Sequence, residues 1–282
     1  MRLSLFALIA LIISCSPKNS STEELETPTH TTTDSLLLSE NEMKYLRNIK
    51  QLTFGGNNAE AYWSFDDSLL VFQSDYAAWG ASCDQIFYTD WRKDDLKNNA
   101  PQRISTGLGR TTCAYFLPGN EAIVYASTHL GGDDCPPVPE RRTDGKYVWP
   151  IYDTYDIFTA DLSGNLLSQL TNEPGYDGEA TLSPKGDKIV FTSMRTGDLE
   201  LFTMNIDGSD VKQITSDLGY DGGAFFSPDG SKLVWRASRP KTEEEIKEYQ
   251  ELLAEGLVKP TEMELYVADA DGWVGVEGLI SA

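Results

Sequence analysis

Residues 175–193 read GYDGEATLSPKGDKIVFTS, and forty-four residues after the first glycine, residues 219–237 read GYDGGAFFSPDGSKLVWRA. The centre of the second copy, Ser227-Pro228-Asp229-Gly230, is turn chemistry. Proline presets φ at the second position, and glycine accepts the positive φ that other residues resist. Apolar runs at 224–226 and 232–235 flank it, and their β-branched and aromatic content predicts two strands of a hairpin. A third strand follows at 264–269 and another turn at Asp271-Gly272. The earlier copy has the same parts: a Ser183-Pro184-Lys185-Gly186 turn, a second strand around Val190, a third at 201–205, and a fourth at 211–215. Four antiparallel strands in about 44 residues is the period of one propeller blade.

Two more eroded copies lie upstream. One runs from 115–120 into 122–125, with its third strand at 156–161 and its fourth near Gln169-Leu170-Thr171. The other runs from 62–67 into 69–72, with its third strand at 85–90 and its fourth at 102–105. A further fourth-type strand, Lys50-Gln51-Leu52-Thr53, precedes the first copy. The second strands centre on Val71, Val124, Val190 and Val234, at spacings of 53, 66 and 44. The excess falls between strands two and three each time. That connection lies on one rim of a propeller, so the insertions gather on one face, often the binding face.

The endings Gln169-Leu170-Thr171 and Gln213-Ile214-Thr215, the segments LSPKGDKIVFTS and FSPDGSKLVW, and LFTMNIDGSD with LYVADADG resemble the TolB-like, WD-like propeller repeats of bacterial envelope proteins. The resemblance covers about residues 48–272 and is specific for fold. It implies an all-β propeller with about four four-stranded blades and one helical insertion. Such propellers serve envelope integrity by binding partner proteins, and they also form the lid of prolyl-oligopeptidase-type peptidases, so fold alone licenses no activity. TolB-like rings have six blades. Four are encoded here, and the tail at 273–282 lacks the Gln-Leu-Thr signature. The chain is expected either to close as a four-bladed ring, using the strand at Lys50, or to be a truncated product forming an open arc. The open arc is the favoured expectation.

The organisation expected is a lipoprotein signal at 1–15, a Ser/Thr-rich tether at 16–40, propeller repeats at 41–272 with a helical insertion at 242–257, and the atypical tail at 273–282. The apolar run at 5–13 is too short to span a bilayer, and Ile12-Ile13-Ser14-Cys15 looks like a bacterial lipobox. Cys15 would then be cleaved to the N-terminus and acylated, with Ser16 resembling the sorting residue of outer-membrane lipoproteins. The tether cannot bury enough apolar surface to fold. A net charge of −21 argues against nucleic acid and suits a periplasmic body or a basic partner.

Three cysteines remain: Cys83, Cys113 and Cys135. All belong to the insertion rim, and an oxidising compartment favours one disulfide, with Cys113–Cys135 the expected pair. No Cys-x-x-Cys or paired Cys/His spacing predicts a zinc site. Histidine is limited to His30 and His129, and no Gly-x-Ser-x-Gly elbow appears. His129 reads as a rim residue. Asp177, Glu179 and Asp221 open the channel-lining strands of two blades, where oxygen atoms could contact a ligand or Ca²⁺. The alternative is that Tyr-Asp-Gly is a structural turn, its carboxylate bonded to backbone N–H groups. Thr242 and Glu245 form a capping box for a helix whose apolar stripe is Ile246, Tyr249, Leu253 and Leu257. That stripe, like residues 147–152, packs on the propeller or docks a partner.

The functional expectation is a non-enzymatic propeller lipoprotein, lipid-anchored at the outer membrane, facing the periplasm and binding a protein, peptide or envelope polymer. The alternative is the accessory or lid propeller of a hydrolytic enzyme. Replacing Cys15→Ser is expected to move the protein from the membrane fraction to the soluble periplasm and abolish acyl labelling; unchanged fractionation would place the anchor elsewhere.

Overall fold

Each channel-lining strand of the chain slips register at the same place, and the blades are arranged around those slips. The computed structural model describes residues 38–140, 142–260 and 262–271. The signal with Cys15, nearly all of the tether and the tail at 273–282 lie outside them. The chain divides into two units, Met1–Gln51 and Leu52–Ala282. Of the first, the described residues hold one short 3-10 turn, Glu42–Lys44, steadied by Ser39.

The second unit holds the blades. Blade 1 is β1 (Asn58–Trp63), β2 (Leu70–Ser74), β3 (Gln85–Thr89) and β4 (Gln102–Arg103), antiparallel in that order. Blade 2 is β5 (Thr111–Phe116), β6 (Ala122–Ser127), then an insertion carrying β7 (Trp149–Pro150), then β8 (Asp156–Asp161) and β9 (Leu166–Gln169). Blade 3 is β10 (Asp177–Leu182), β11 (Lys188–Ser193), β12 (Glu200–Asn205) and β13 (Lys212–Gln213). Blade 4 has β14 (Asp221–Phe226) and β15 (Lys232–Ala237), an insertion with helix α1 (Glu243–Ala254) and β16 (Leu257–Val258), and β17 (Glu264–Asp269). Among the described residues blade 4 has three strands. The fourth-type sequence at residues 50–53 forms no strand, a correction to the sequence reading. Outer strands here are as short as two residues, so composition alone is a weak signal for one.

The repeated motifs have local causes. In the Ser-Pro-x-Gly turns the serine hydroxyl accepts the N–H five residues on: Lys188 to Ser183 at 3.2 Å, Lys232 to Ser227 at 2.9 Å, and Leu69 to Ser64 at 2.9 Å in the eroded first copy. The threonine of Gln-Leu-Thr staples strand four to strand three beyond the end of the ladder. Thr171 accepts from the Ile157 N–H at 2.9 Å, Thr215 from Leu201 at 2.8 Å, and Ser105 from Ile86 at 2.9 Å. Blades are joined along the inner strands by one recurring backbone bond. Thr111 donates to Asp84, Asp177 to Tyr155 and Asp221 to Leu199, each at 2.9 Å.

Between blades the pleated faces interdigitate. Val71, Ile86, Phe116, Tyr125 and Phe158 pack blade 1 on blade 2; Val124, Ile157, Ile189, Phe191 and Phe202 pack blade 2 on blade 3; Val190, Leu201, Leu233 and Trp235 pack blade 3 on blade 4. Burying each such side chain contributes roughly 1.5–3 kcal/mol.

Thr171→Val keeps the volume and removes the staple, leaving the buried Ile157 N–H without its acceptor. It is expected to cost about 1–3 kcal/mol in urea unfolding, and Thr171→Ser to recover most of that. Equal losses in the two variants would show that the hydroxyl does not act.

Candidate functional site

The inner strands β1, β5, β10 and β14 each lose register against their partners, between Ala59 and Tyr62, Thr112 and Tyr115, Gly178 and Thr181, and Gly222 and Phe225. The slip is a β-bulge, and its first residue takes a left-handed backbone: φ is +51° at Glu60, +50° at Cys113, +55° at Glu179 and +62° at Gly223. One equivalent residue per blade is thereby presented at a cavity of about 460 Å³ that all four inner strands line. A layer further along each strand, Tyr62 lies 5.2 Å from Tyr115 and 6.0 Å from Phe225, ring centre to ring centre. Aromatic rings from blades 1, 2 and 4 therefore meet there.

The insertions of blades 2 and 4 roof the cavity. Strand β7 pairs antiparallel with β16, and the Ile151 N–H donates to the Gly256 carbonyl at 2.7 Å. Arg142 pairs with Glu255 at 3.0 Å, and Lys146 with Glu248. Helix α1 starts at the reciprocal Thr242–Glu245 cap and turns Tyr249 and Leu252 inward. Tyr249 donates to Asp198, anchoring the roof on blade 3. A second anchor is the disulfide Cys83–Cys135, which ties the roof insertion to the insertion of blade 1. The expected Cys113–Cys135 bond is therefore corrected. Cys113 is the bulge residue of β5 and turns to the cavity, while Cys83 and Cys135 lie in neighbouring insertions with their Cα atoms 6.0 Å apart. Cys113 is a free thiol, pushed above its ordinary pKa by burial and by the charges of Glu60 and Glu179. It stays protonated and is a poor nucleophile.

The three carboxylates singled out from the sequence separate. Asp177 and Asp221 are buried and each meets an arginine two residues past the second strand of its own blade: Arg195 at 3.1 Å and Arg239 at 2.7 Å. Neither makes the backbone-bonded turn expected of Tyr-Asp-Gly. The tyrosine instead lies across the second glycine, where a Cβ on Gly222 would come within 2.2 Å of the Tyr220 hydroxyl. His129 occupies the arginine position in blade 2, bonded to Ser127 at 2.8 Å and packed on Phe158, with burial lowering its pKa. Its partner position holds Thr111 rather than an acid. Glu179 alone of the three lines the cavity. It accepts from the Tyr220 hydroxyl at 2.8 Å and from the Gly223 N–H, and lies 3.6 Å from Arg236. Arg236 in turn lies over the Trp149 ring at 4.9 Å. Among the described residues no group of three or more His, Cys, Asp or Glu side chains is placed to hold a metal ion.

Sequence reasoning missed Glu60 and Arg236. Glu60 was detectable: Asn58-Ala59-Glu60-Ala61 aligns with Asp177-Gly178-Glu179-Ala180 once the hairpin turns are superposed. Arg236 was less so, because its value comes from the roof tryptophan and from a carboxylate on another blade.

This geometry is that of a β-propeller with four blades, an axial cavity and a roof on the insertion rim. Residues 151–257 match the family model of the TolB beta propeller domain. Among solved structures, TolB from Acinetobacter baumannii superposes with a TM-score of 0.50 at 17% identity, over 78% of this chain and 43% of that one. A chain from Agrobacterium tumefaciens assigned as TolB gives 0.39 at 20% identity, over 78% and 80%. The chain thus spans less than half the length of the A. baumannii protein, and at 17% identity the likeness to it shows the fold alone. No curated protein matches the sequence.

One buried acid lies beside this machinery. Glu200 opens β12 at the position of Gln85 in blade 1, Asp156 in blade 2 and Glu264 in blade 4, and is 3% exposed, with one oxygen lacking a hydrogen bond. Burial first, then the charges of Asp221 and Asp198, push its carboxyl up to about 8. The folded state therefore favours the protonated acid. Stability falls as pH rises from the ordinary glutamate range towards 8 and levels off above it. Glu200→Gln, which places in blade 3 the amide blade 1 already uses, is expected to raise the melting temperature at pH 9 and leave it nearly unchanged at pH 5. An equal change at both would remove ionisation as the cause.

Proposed function

We propose that this chain is a non-enzymatic binding propeller of the bacterial envelope, lipid-anchored through Cys15, which presents its roofed rim and axial cavity to a protein or peptide partner in the periplasm. The observation that carries this reading is the convergence of one bulge residue from every blade on a single cavity beneath an aromatic roof. Backbone strain of this kind, repeated at one functional layer, is where folds position contacts. The roof supplies what interfaces favour: Tyr147, 67% exposed, beside Trp149.

Groups that could do chemistry are engaged structurally. Asp177 and Asp221 neutralise arginines, His129 fills an arginine position, and the Cys113 thiol is held protonated. That supports binding over turnover.

A photo-crosslinking side chain introduced at Tyr147 should capture a defined envelope protein in cells, and the same group at Leu166, exposed on outer strand β9, should not. Identical capture from both positions, or none from either, would sink the proposal.

A further inference from the structure

Blade 3 shows what a carboxylate at the bulge position receives. Three of the groups around Glu179 come from the next blade, the Tyr220 hydroxyl, the Gly223 N–H and the Arg236 guanidinium, and the Thr192 hydroxyl of its own blade lies at 3.4 Å. Tyr220 directly precedes β14, Gly223 is its bulge, and Arg236 stands on β15 opposite Gly222. Glu60 holds the same position in blade 1, so its counterparts stand on blade 2. They are Arg110, which precedes β5; Cys113, the bulge; and Ala126, opposite Thr112.

None of the three serves Glu60. Arg110 is ion-paired with Asp84. The Cys113 N–H donates to Gln73 Oε1 at 3.3 Å. Ala126 is a buried methyl where blade 4 has a guanidinium. The hydrogen bond Glu60 makes is from the Tyr62 hydroxyl at 2.6 Å, a neutral donor. Of the acids lining the cavity, Asp84 and Glu179 each form an ion pair with an arginine, whereas Glu60 acts on Arg236 only at longer range, its charge adding to those that raise the guanidinium's pKa.

We infer that the cavity receives a cationic group, an ammonium or a guanidinium, which sits against Glu60 as Arg236 sits against Glu179, beneath Tyr147, Trp149 and Tyr152. The inference rests on the reading of the axial cavity as the partner site. The chain demonstrates the chemistry on itself, since Arg236 already lies on the Trp149 ring at 4.9 Å while facing a carboxylate. The net charge of −21 draws cations towards the molecule from a distance. Glu60 then chooses among those that arrive. The cation can be a basic side chain of a partner protein or a free polyamine.

The test is a titration of the full chain, followed by tryptophan fluorescence, with an oligo-arginine peptide and separately with spermidine. Wild type, Glu60→Gln and Glu121→Gln are compared, the last being an exposed hairpin-turn acid. Saturable binding weakened about tenfold or more by Glu60→Gln and unaltered by Glu121→Gln, with matching thermal melts, supports the inference. Binding of the peptide alone would identify a protein side chain as the source, and binding of both would admit free amines. Equal affinities for the two variants, or no saturable binding to wild type, overturns it. If crosslinking at Tyr147 still captures an envelope protein in that event, the cation assignment fails while the binding role stands.

Discussion

The left-handed residue in each inner strand is the constraint on which the rest of the structure depends. A straight strand would alternate its side chains between the two blade interfaces and present none specifically to the axis. The bulge breaks that alternation once per blade, at Glu60, Cys113, Glu179 and Gly223. Holding a non-glycine residue there costs about 1–3 kcal/mol. The cost is offset by the flanking packing. The alanine that follows the bulge is fully buried in blades 2, 3 and 4, as Ala114, Ala180 and Ala224. It turns into the core while its predecessor turns out. The same slip sets the register that brings Arg236 opposite Gly222 and leaves Ala126 opposite Thr112. Repeats built on one plan thus differ at the axis in charge and in bulk, while their interfaces stay alike.

The insertions convert that axis from an open bore into a covered chamber. Neither can fold alone: β7 and β16 are two residues each and have only each other to pair with. Their apolar undersides, from Trp149, Ile151, Tyr155, Tyr249 and Val258, share one cluster with Tyr176 and Tyr220 of the blades. The roof is therefore held by side chains that also define the Tyr-Asp-Gly entrances of blades 3 and 4. A change of roof position would be felt at Tyr220, and through its hydroxyl at Glu179.

Much of the fold was legible because its signals are local. The serine of each Ser-Pro-x-Gly turn, the threonine of each Gln-Leu-Thr ending and the Thr242–Glu245 cap act within a few residues or within one blade. Legibility ended where partners lie far apart. Nothing local announces that Trp149 and Val258 will pair, since each sits in a two-residue strand inside a loop. The disulfide was misassigned because spacing places three cysteines on one rim, and only the bulge decides that Cys113 faces the cavity. Asp177 and Asp221 were correctly placed at strand entrances. Their arginines sit across a hairpin, so the carboxylates looked freer than they are. The sequence at residues 50–53 misled in another way: its composition matches an outer strand, but its backbone takes no strand conformation.

The Cys83–Cys135 bond closes a loop across a sequence separation of 52 residues, spanning strands from two adjacent blades. By loop-closure entropy such a link contributes about 4 kcal/mol, comparable to a large share of a domain's net stability. Its loop contains β3, β4, β5 and β6, so the bond binds the first interface of the propeller into a covalent ring. With the two thiols reduced the same sequence could still build its blades, but the cover would be held by blades 2, 3 and 4 and lose its covalent tie to blade 1. Forming the bond therefore fixes the cover to blade 1 as well as stabilising the fold.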